Sequence, residues 1–208
     1  MNIEELFYSR RSVRKFKTEK PNRAIIQNLI EIGISAPSAS NHQPWKFFII
    51  ENQELLHKMV MAVKLQLEIF SKKIEPELLP RFMDYGENYF TRFTDAPYVI
   101  IPAFRNMPGL SQMAKDLNKD EKIISESLEF KSSIVSTSLA IQNILLYANQ
   151  IGLGTSCMTG PLIAEKQLKA LVDIPESWGI ACLIPVGYPD EIPEKTKRKS
   201  IEKVISWK

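Results

Sequence analysis

Apolar residues recur every third or fourth position in some stretches of the chain and bunch into short unbroken runs in others, and the two patterns predict different elements. Asn2, followed three residues later by Glu5, has the form of a capping box, and Ile3, Leu6 and Phe7 give the short amphipathic helix behind it. Pro21 and Asn22 open a second helix with Ile25, Ile26, Leu29 and Ile30 on one face. Leu55, Leu56, Met59, Val60, Val63 and Leu67 keep the same period, and a further helix covers residues 163–171. The longest helical stretch is 125–150, where Ile134, Ser138, Ile141, Leu145 and Ala148 form one stripe while Leu139 and Leu146 lie on other faces. A helix apolar on several sides is buried deeply or lies between subunits. Gly152 is its stop signal.

The unbroken runs read as strands: WKFFIIE over 45–51, YVIIPAF over 98–104 and GIACLIPV over 179–186. Pro102 cannot donate to a ladder, so the second run is expected at an edge or at a bulge. Residues 35–44 are a loop by composition, and 105–122, polar with Pro108 and Gly109, read as a mobile loop. Helices and separated strands without regular alternation predict an α+β fold. At 208 residues the chain is expected to form a single domain over 1–208, with an arm at 185–208. That arm ends in apolar Val204, Ile205 and Trp207, which must pack on the body or on a partner subunit.

Composition is ordinary for a soluble globular protein, with 44% hydrophobic and 25% charged residues, which excludes a mostly disordered or collagen-like chain. No apolar run reaches the roughly 18–20 residues that span a bilayer. The opening MNIEELFYSRR lacks the apolar stretch of a secretion signal, and the two cysteines, Cys157 and Cys182, suit a reducing compartment, so the expected location is the cytoplasm. The net charge of +3 hides a strong asymmetry. Residues 10–23 and 195–208 together hold thirteen basic and two acidic side chains, whereas the other 180 residues hold fourteen and twenty-two. Two basic ends on an acidic body suit an anion site assembled from both. They also suit two solvated segments, or an arm for nucleic acid, although an acidic body repels phosphate backbones.

Several chemistries lack their residues. His42 and His57 have no ligand spacing to the cysteines, so no metal site is expected. There is no nucleophile elbow and no Walker-type loop. Gly152-Leu153-Gly154-Thr155 follows a helix rather than a strand, which argues against a dinucleotide loop and for a backbone lying close to something flat or crowded. An enzyme with few reactive side chains depends on a cofactor for its reaction, and an anionic flavin would also explain the gathered cations.

Four segments together resemble the nitroreductase family of FMN-dependent flavoproteins: RRSVRKF at 10–16, APSASNHQPW at 36–45 leading into the strand, GLGTSCMTG at 152–160, and PVGYP at 185–189 with the basic KTKRK behind it. The resemblance implies a mixed central sheet flanked by helices, and a homodimer whose C-terminal tail extends onto the partner subunit. It implies FMN held by Arg10, Arg11, Ser12, Arg14 and Arg198, with Arg11 along the ring edge that becomes anionic on reduction. Pro37, Ser38, Ala39, Asn41 and Gln43 would approach the flavin from the other subunit. Thr159 and Gly160 would lie near N5, which carries the chemistry in place of a catalytic side chain. Some members carry an acid at the Thr159 position. Arg92 is a further candidate for the pyrimidine edge, or an exposed residue. Phe82, Tyr85, Tyr89, Phe90 and Phe93 would either cover the flavin face or belong to the core.

The implied reaction is ping-pong hydride transfer from NADH or NADPH through the flavin to a nitroaromatic, quinone or similar electron-poor acceptor, with no nucleic-acid or membrane partner. Flavin fragmentation, reductive dehalogenation or ene reduction on the same fold, and FMN binding without turnover, are the alternatives.

Overall fold

The computed structural model describes residues 2–208. In chain order its elements are α1 (Ile3–Ser9), α2 (Arg23–Ile34), β1 (Trp45–Ile50), α3 (Gln53–Ser71), α4 (Leu79–Phe90), β2 (Tyr98–Arg105), α5 (Leu110–Met113), α6 (Lys119–Gln150), β3 (Gly154–Thr155), α7 (Glu165–Val172), β4 (Trp178–Ile180) and β5 (Ile184–Gly187). The fold is α+β. The capping box forms as the sequence predicts: Glu5 N donates to Asn2 Oδ1 and Asn2 N to Glu5 Oε2, both at 2.9 Å.

The strands run β1-β2-β5-β3, with β4 also paired to β2, and every pair of named strands is antiparallel. The sheet of named strands is therefore antiparallel rather than the mixed one expected; a single isolated parallel bridge, Ser12–Thr155, ties the N-terminal basic segment to β3. β2 is the central strand, so Pro102 lies not at an edge but at a bulge, where the register against β5 and β4 shifts by one residue. Its residues alternate between the two faces of the sheet and both faces are covered. Val99, Ile101 and Ala103 join the core beneath α3 and α7, while Tyr98 and Ile100 join the core beneath α2 and α6. Pro102 is tolerated because the neighbour of β2 changes there, from β5 through Ile100 to β4 from Ala103, and Ala181 N donates to the Pro102 carbonyl at 2.9 Å. The same break divides the run at 179–186 into two strands.

Helix α6 begins six residues earlier than its apolar period, because Asn118 and Glu121 form a second capping box ahead of it. Its buried face carries Ser133, Ser136, Thr137, Ala140, Ile141, Ile144, Leu145 and Ala148, so Ser138 is exposed rather than part of the stripe. Residues 105–122 are not a free loop: they hold α5 and the start of α6. Glu129 Oε1 accepts from Gly109 N (2.8 Å), Ser111 N (3.1 Å) and Ser111 Oγ (2.7 Å) and pins the stretch to α6.

Gly152 stops α6 with φ +81°, a left-handed conformation that glycine adopts without steric cost. At Gly154 a Cβ would lie 2.7 Å from Val13 Cγ1, so the backbone here is crowded, as its glycines suggested, by the N-terminal segment. Val13 N donates to the Thr155 carbonyl at 2.9 Å.

Candidate functional site

Pairing between the two basic ends builds the site. Beyond β5 the chain turns back along residues 15–17: Lys17 N donates to the Tyr188 carbonyl and Asp190 N to the Lys15 carbonyl, each at 2.9 Å. Glu191 Oε1 then accepts from Arg14 N at 2.5 Å and Lys15 N at 3.1 Å. A carboxylate on two backbone N–H groups makes a strong tie. It directs the following residues across the end of α1.

A cleft of about 540 Å³ opens there, lined by Phe7, Tyr8, Arg10, Arg11, Lys195, Thr196, Lys197 and Arg198. Five of its eight lining residues are cationic and none is acidic. Burial first, and then the charges of Arg198 and Arg11, hold the Arg10 guanidinium below its ordinary pKa. The arginines therefore repel one another, with no carboxylate in the lining and only the nearby Cys157 thiol acting the other way on Arg10. Arg11 is steadied by donating to the carbonyls of Tyr8 (2.7 Å) and Arg10 (2.8 Å) at the end of α1, and Arg198 donates to Thr196 Oγ1 at 2.5 Å.

Arg14 departs from the expected cluster. Its guanidinium lies over the Tyr89 ring, 5.0 Å from the centroid, and its Nε is buried without a partner. Tyr89 stacks on Tyr85 at 4.7 Å, and Phe90 meets Tyr85 edge-on at 5.6 Å. α4 thus brings its aromatics over the N-terminal basic motif. Phe90 also rests on Gly160: a Cβ there would lie 2.0 Å from its ring. The aromatic segment divides between core and surface. Phe93 is core, Phe82 and Phe90 pack on the core, and Tyr85 and Tyr89 are exposed. Arg92 is half-buried and donates to Asn88 Oδ1 at 3.0 Å.

Ser12 is held by its bridge to Thr155, and four residues after Thr155 the exposed Thr159 opens the 3-10 turn Gly160–Ala164. Cys157, between them, was given no role from sequence. It is exposed, and its thiol pKa is lowered to about 7 by a hydrogen bond with Cys182, aided by the charge of Arg10 against the opposing effect of burial. The buried Cys182 is pushed the other way by that same interaction and by its burial.

Pro37, Ser38, Ala39, Asn41 and Gln43 lie apart from the cationic cleft. Pro37, Ser38 and Ala39 line a cavity of about 420 Å³ against Lys131, Ser132, Val135, Ser136 and Leu139 of α6. Ala39 N donates to Ser136 Oγ at 3.2 Å, Gln43 N to Ser38 Oγ at 3.0 Å and Gln43 Nε2 to Asn41 Oδ1 at 3.2 Å. Ser40, Asn41 and Gln43 all have positive φ, at 49°, 54° and 47°. Three such non-glycine residues in one short loop mark a conformation the surroundings impose, a feature that clusters at functional sites. The loop and the basic ends therefore line separate cavities with no residue in common.

The nitroreductase family model matches residues 8–188. The chain belongs to the nitroreductase family. A Bacillus subtilis protein with the provisional name of an NAD(P)H nitroreductase is 25% identical over 96% of this chain and 90% of its own length. A crystal structure of iodotyrosine deiodinase bound to FMN and 3-iodo-L-tyrosine superposes with a TM-score of 0.73 at 25% identity, covering 96% of each chain. A BluB-like flavoprotein from Clostridium difficile 630 shares the fold at a TM-score of 0.86, with 20% identity over 100% of this chain and 99% of the other. No helix among the described residues is long and apolar enough to cross a membrane.

Proposed function

We propose that this chain is an FMN-dependent oxidoreductase that takes reducing equivalents from NADH or NADPH and delivers them to a nitroaromatic, quinone or similar electron-poor acceptor. The observation that carries the reading is the cleft in which Arg10, Arg11 and Arg198 repel one another with no lining acid. Such an arrangement fits a group that brings its own dianion, and guanidinium forks match phosphate oxygens. The orphaned Arg14 Nε adds an unused donor on the same segment.

When bound, FMN would supply hydride acceptance and release at N5. Arg10 and Arg198 would hold its phosphate, with Arg11 beside them. Ser12 and Arg14 would offer donors to the sugar-like chain. Thr159 and the Gly160 backbone would meet the ring near N5, and the exposed Tyr85 and Tyr89 would stack on a flat substrate and keep water off it. Pro37, Ser38, Ala39, Asn41 and Gln43 would complete the pocket from a second copy of the chain.

A second reading, reductive dehalogenation of an aromatic substrate, is favoured by the likeness to the iodotyrosine deiodinase complex. The deciding experiment begins with the visible spectrum of the purified protein and mass spectrometry of any released cofactor. A yellow protein that releases FMN and is reduced in stopped flow by NADH or NADPH is expected. Rapid oxidation by a quinone or nitroaromatic then supports the first reading, and iodide release from a halotyrosine the second. A colourless protein that does not take up added FMN discards both.

A further inference from the structure

Resting on the FMN reading, the cationic cleft holds more positive charge than one cofactor uses. Five cations line it, and a phosphomonoester carries a charge of about −2 near neutral pH. Arg10 and Arg198, with Arg11 behind them, suffice for that group. Lys195 and Lys197 remain, and the salt bridges found among the described residues involve neither of them.

The rest of the lining has a matching character. Phe7 and Tyr8 sit on the last turn of α1 with their rings largely exposed, Tyr8 at 68%. Lys195 Nζ stands over the Tyr8 ring, 5.4 Å from its centroid. A largely exposed aromatic ring with a cation over it suits a flat base carrying a phosphate on its sugar. The lysines suit that second phosphate as point charges, while the arginine forks serve the first.

We propose that Tyr8, Lys195 and Lys197 form a subsite for the adenosine 2′-phosphate of NADPH, and so make the enzyme prefer NADPH to NADH. The adenine stacks on Tyr8 and the 2′-phosphate sits between the two ammonium groups. The tail thereby reads the electron donor as well as closing on the cofactor.

The test uses the FMN-saturated protein and two probes, adenosine 2′,5′-bisphosphate and adenosine 5′-monophosphate, titrated by calorimetry at about 50 mM salt, where surface charges are weakly screened. The bisphosphate is expected to bind at least about tenfold tighter, a difference of about 1.4 kcal/mol. The double variant Lys195→Ala/Lys197→Ala is expected to bring that ratio below about threefold, and the kcat/KM ratio for NADPH over NADH should fall in parallel. Tyr8→Ala should weaken both probes alike, because it removes the stacking surface and leaves the charges. Equal affinity for the two probes in the unaltered protein, or a ratio that survives loss of both lysines, overturns the proposal. Those results leave FMN binding intact, whereas failure to saturate with FMN at the outset removes the underlying reading instead.

Discussion

Cys157 is where the folded chain gives an ordinary residue an unusual chemistry. A free thiol is mostly protonated at neutral pH, but contact with Cys182 and the charge of Arg10 bring Cys157 to about 7. The sign is plain: a hydrogen bond received by the thiolate and a nearby cation both favour the charged form. Alkylation of Cys157 by iodoacetamide is therefore expected to accelerate with a midpoint near pH 7 and to lag at Cys182, which is buried and shifted upward. Arg10→Ala should move the midpoint up. Saturating FMN should do the same if its phosphate neutralises Arg10. A midpoint indifferent to Arg10 would separate the thiol from the cleft. None of this was legible in GLGTSCMTG, where Cys157 has no special neighbour along the chain. The pairing of residues 12–13 with Thr155 brings Arg10 near it, and that contact spans more than 140 positions. The convergence of Arg10 with Arg198 was legible, since both lie in short basic blocks. The diversion of Arg14 towards Tyr89 was not, because it depends on where α4 folds.

At the scale of elements, the glycines of the α6–β3 junction make different demands. Gly152 has left-handed geometry and open space, so Gly152→Ala is expected to cost about 1 kcal/mol through backbone strain alone. Gly154 has ordinary φ but no room, because an added Cβ meets Val13. Gly154→Ala should cost about 1–3 kcal/mol by overpacking. In a Val13→Ala background that cost should shrink, since the offending methyls are gone, whereas the Gly152→Ala cost should not change. Urea unfolding of the three single and two double variants gives the comparison, and equal coupling at both glycines would mean that Val13 is not what Gly154 accommodates. Periodicity found the helices with a continuous apolar face and the strands with dense β-branched runs. It missed α4, whose exposed Tyr85 and Tyr89 break the apolar pattern, and the first turn of α6, which is polar and capped. Pro102 marked a break in the ladder correctly, but whether that break was an edge or a bulge depended on β5 and β4, which lie about 80 positions further along the chain.

At the scale of the whole molecule, two unfinished features have one remedy. α6 leaves Leu128, Val135 and Leu139 exposed, at 48%, 58% and 43%, along the side that carries the strained loop. Pro37, Ser38 and Ala39 share a cavity with Val135 and Leu139, away from the cationic cleft. A second copy seated on this face of α6 would cover the apolar residues and bring the loop to the neighbour's arginines, and the same twofold relation would complete both sites. The tail offers a second contact, since Ile192 and Trp207 are almost wholly exposed. A stable interface of this kind buries at least about 1,200 Å² in total, more than isolated surface residues supply. The protein is therefore expected to sediment as a dimer at micromolar concentration. Val135→Glu/Leu139→Glu should yield a folded monomer by placing like charges against each other across the axis. Because neither substituted residue lines the cationic cleft, loss of FMN from that monomer would show that the loop of the partner is needed to hold it. A monomer that keeps its FMN and its reduction rate would show that one chain builds the whole site, and the loop at 37–43 would then need another purpose.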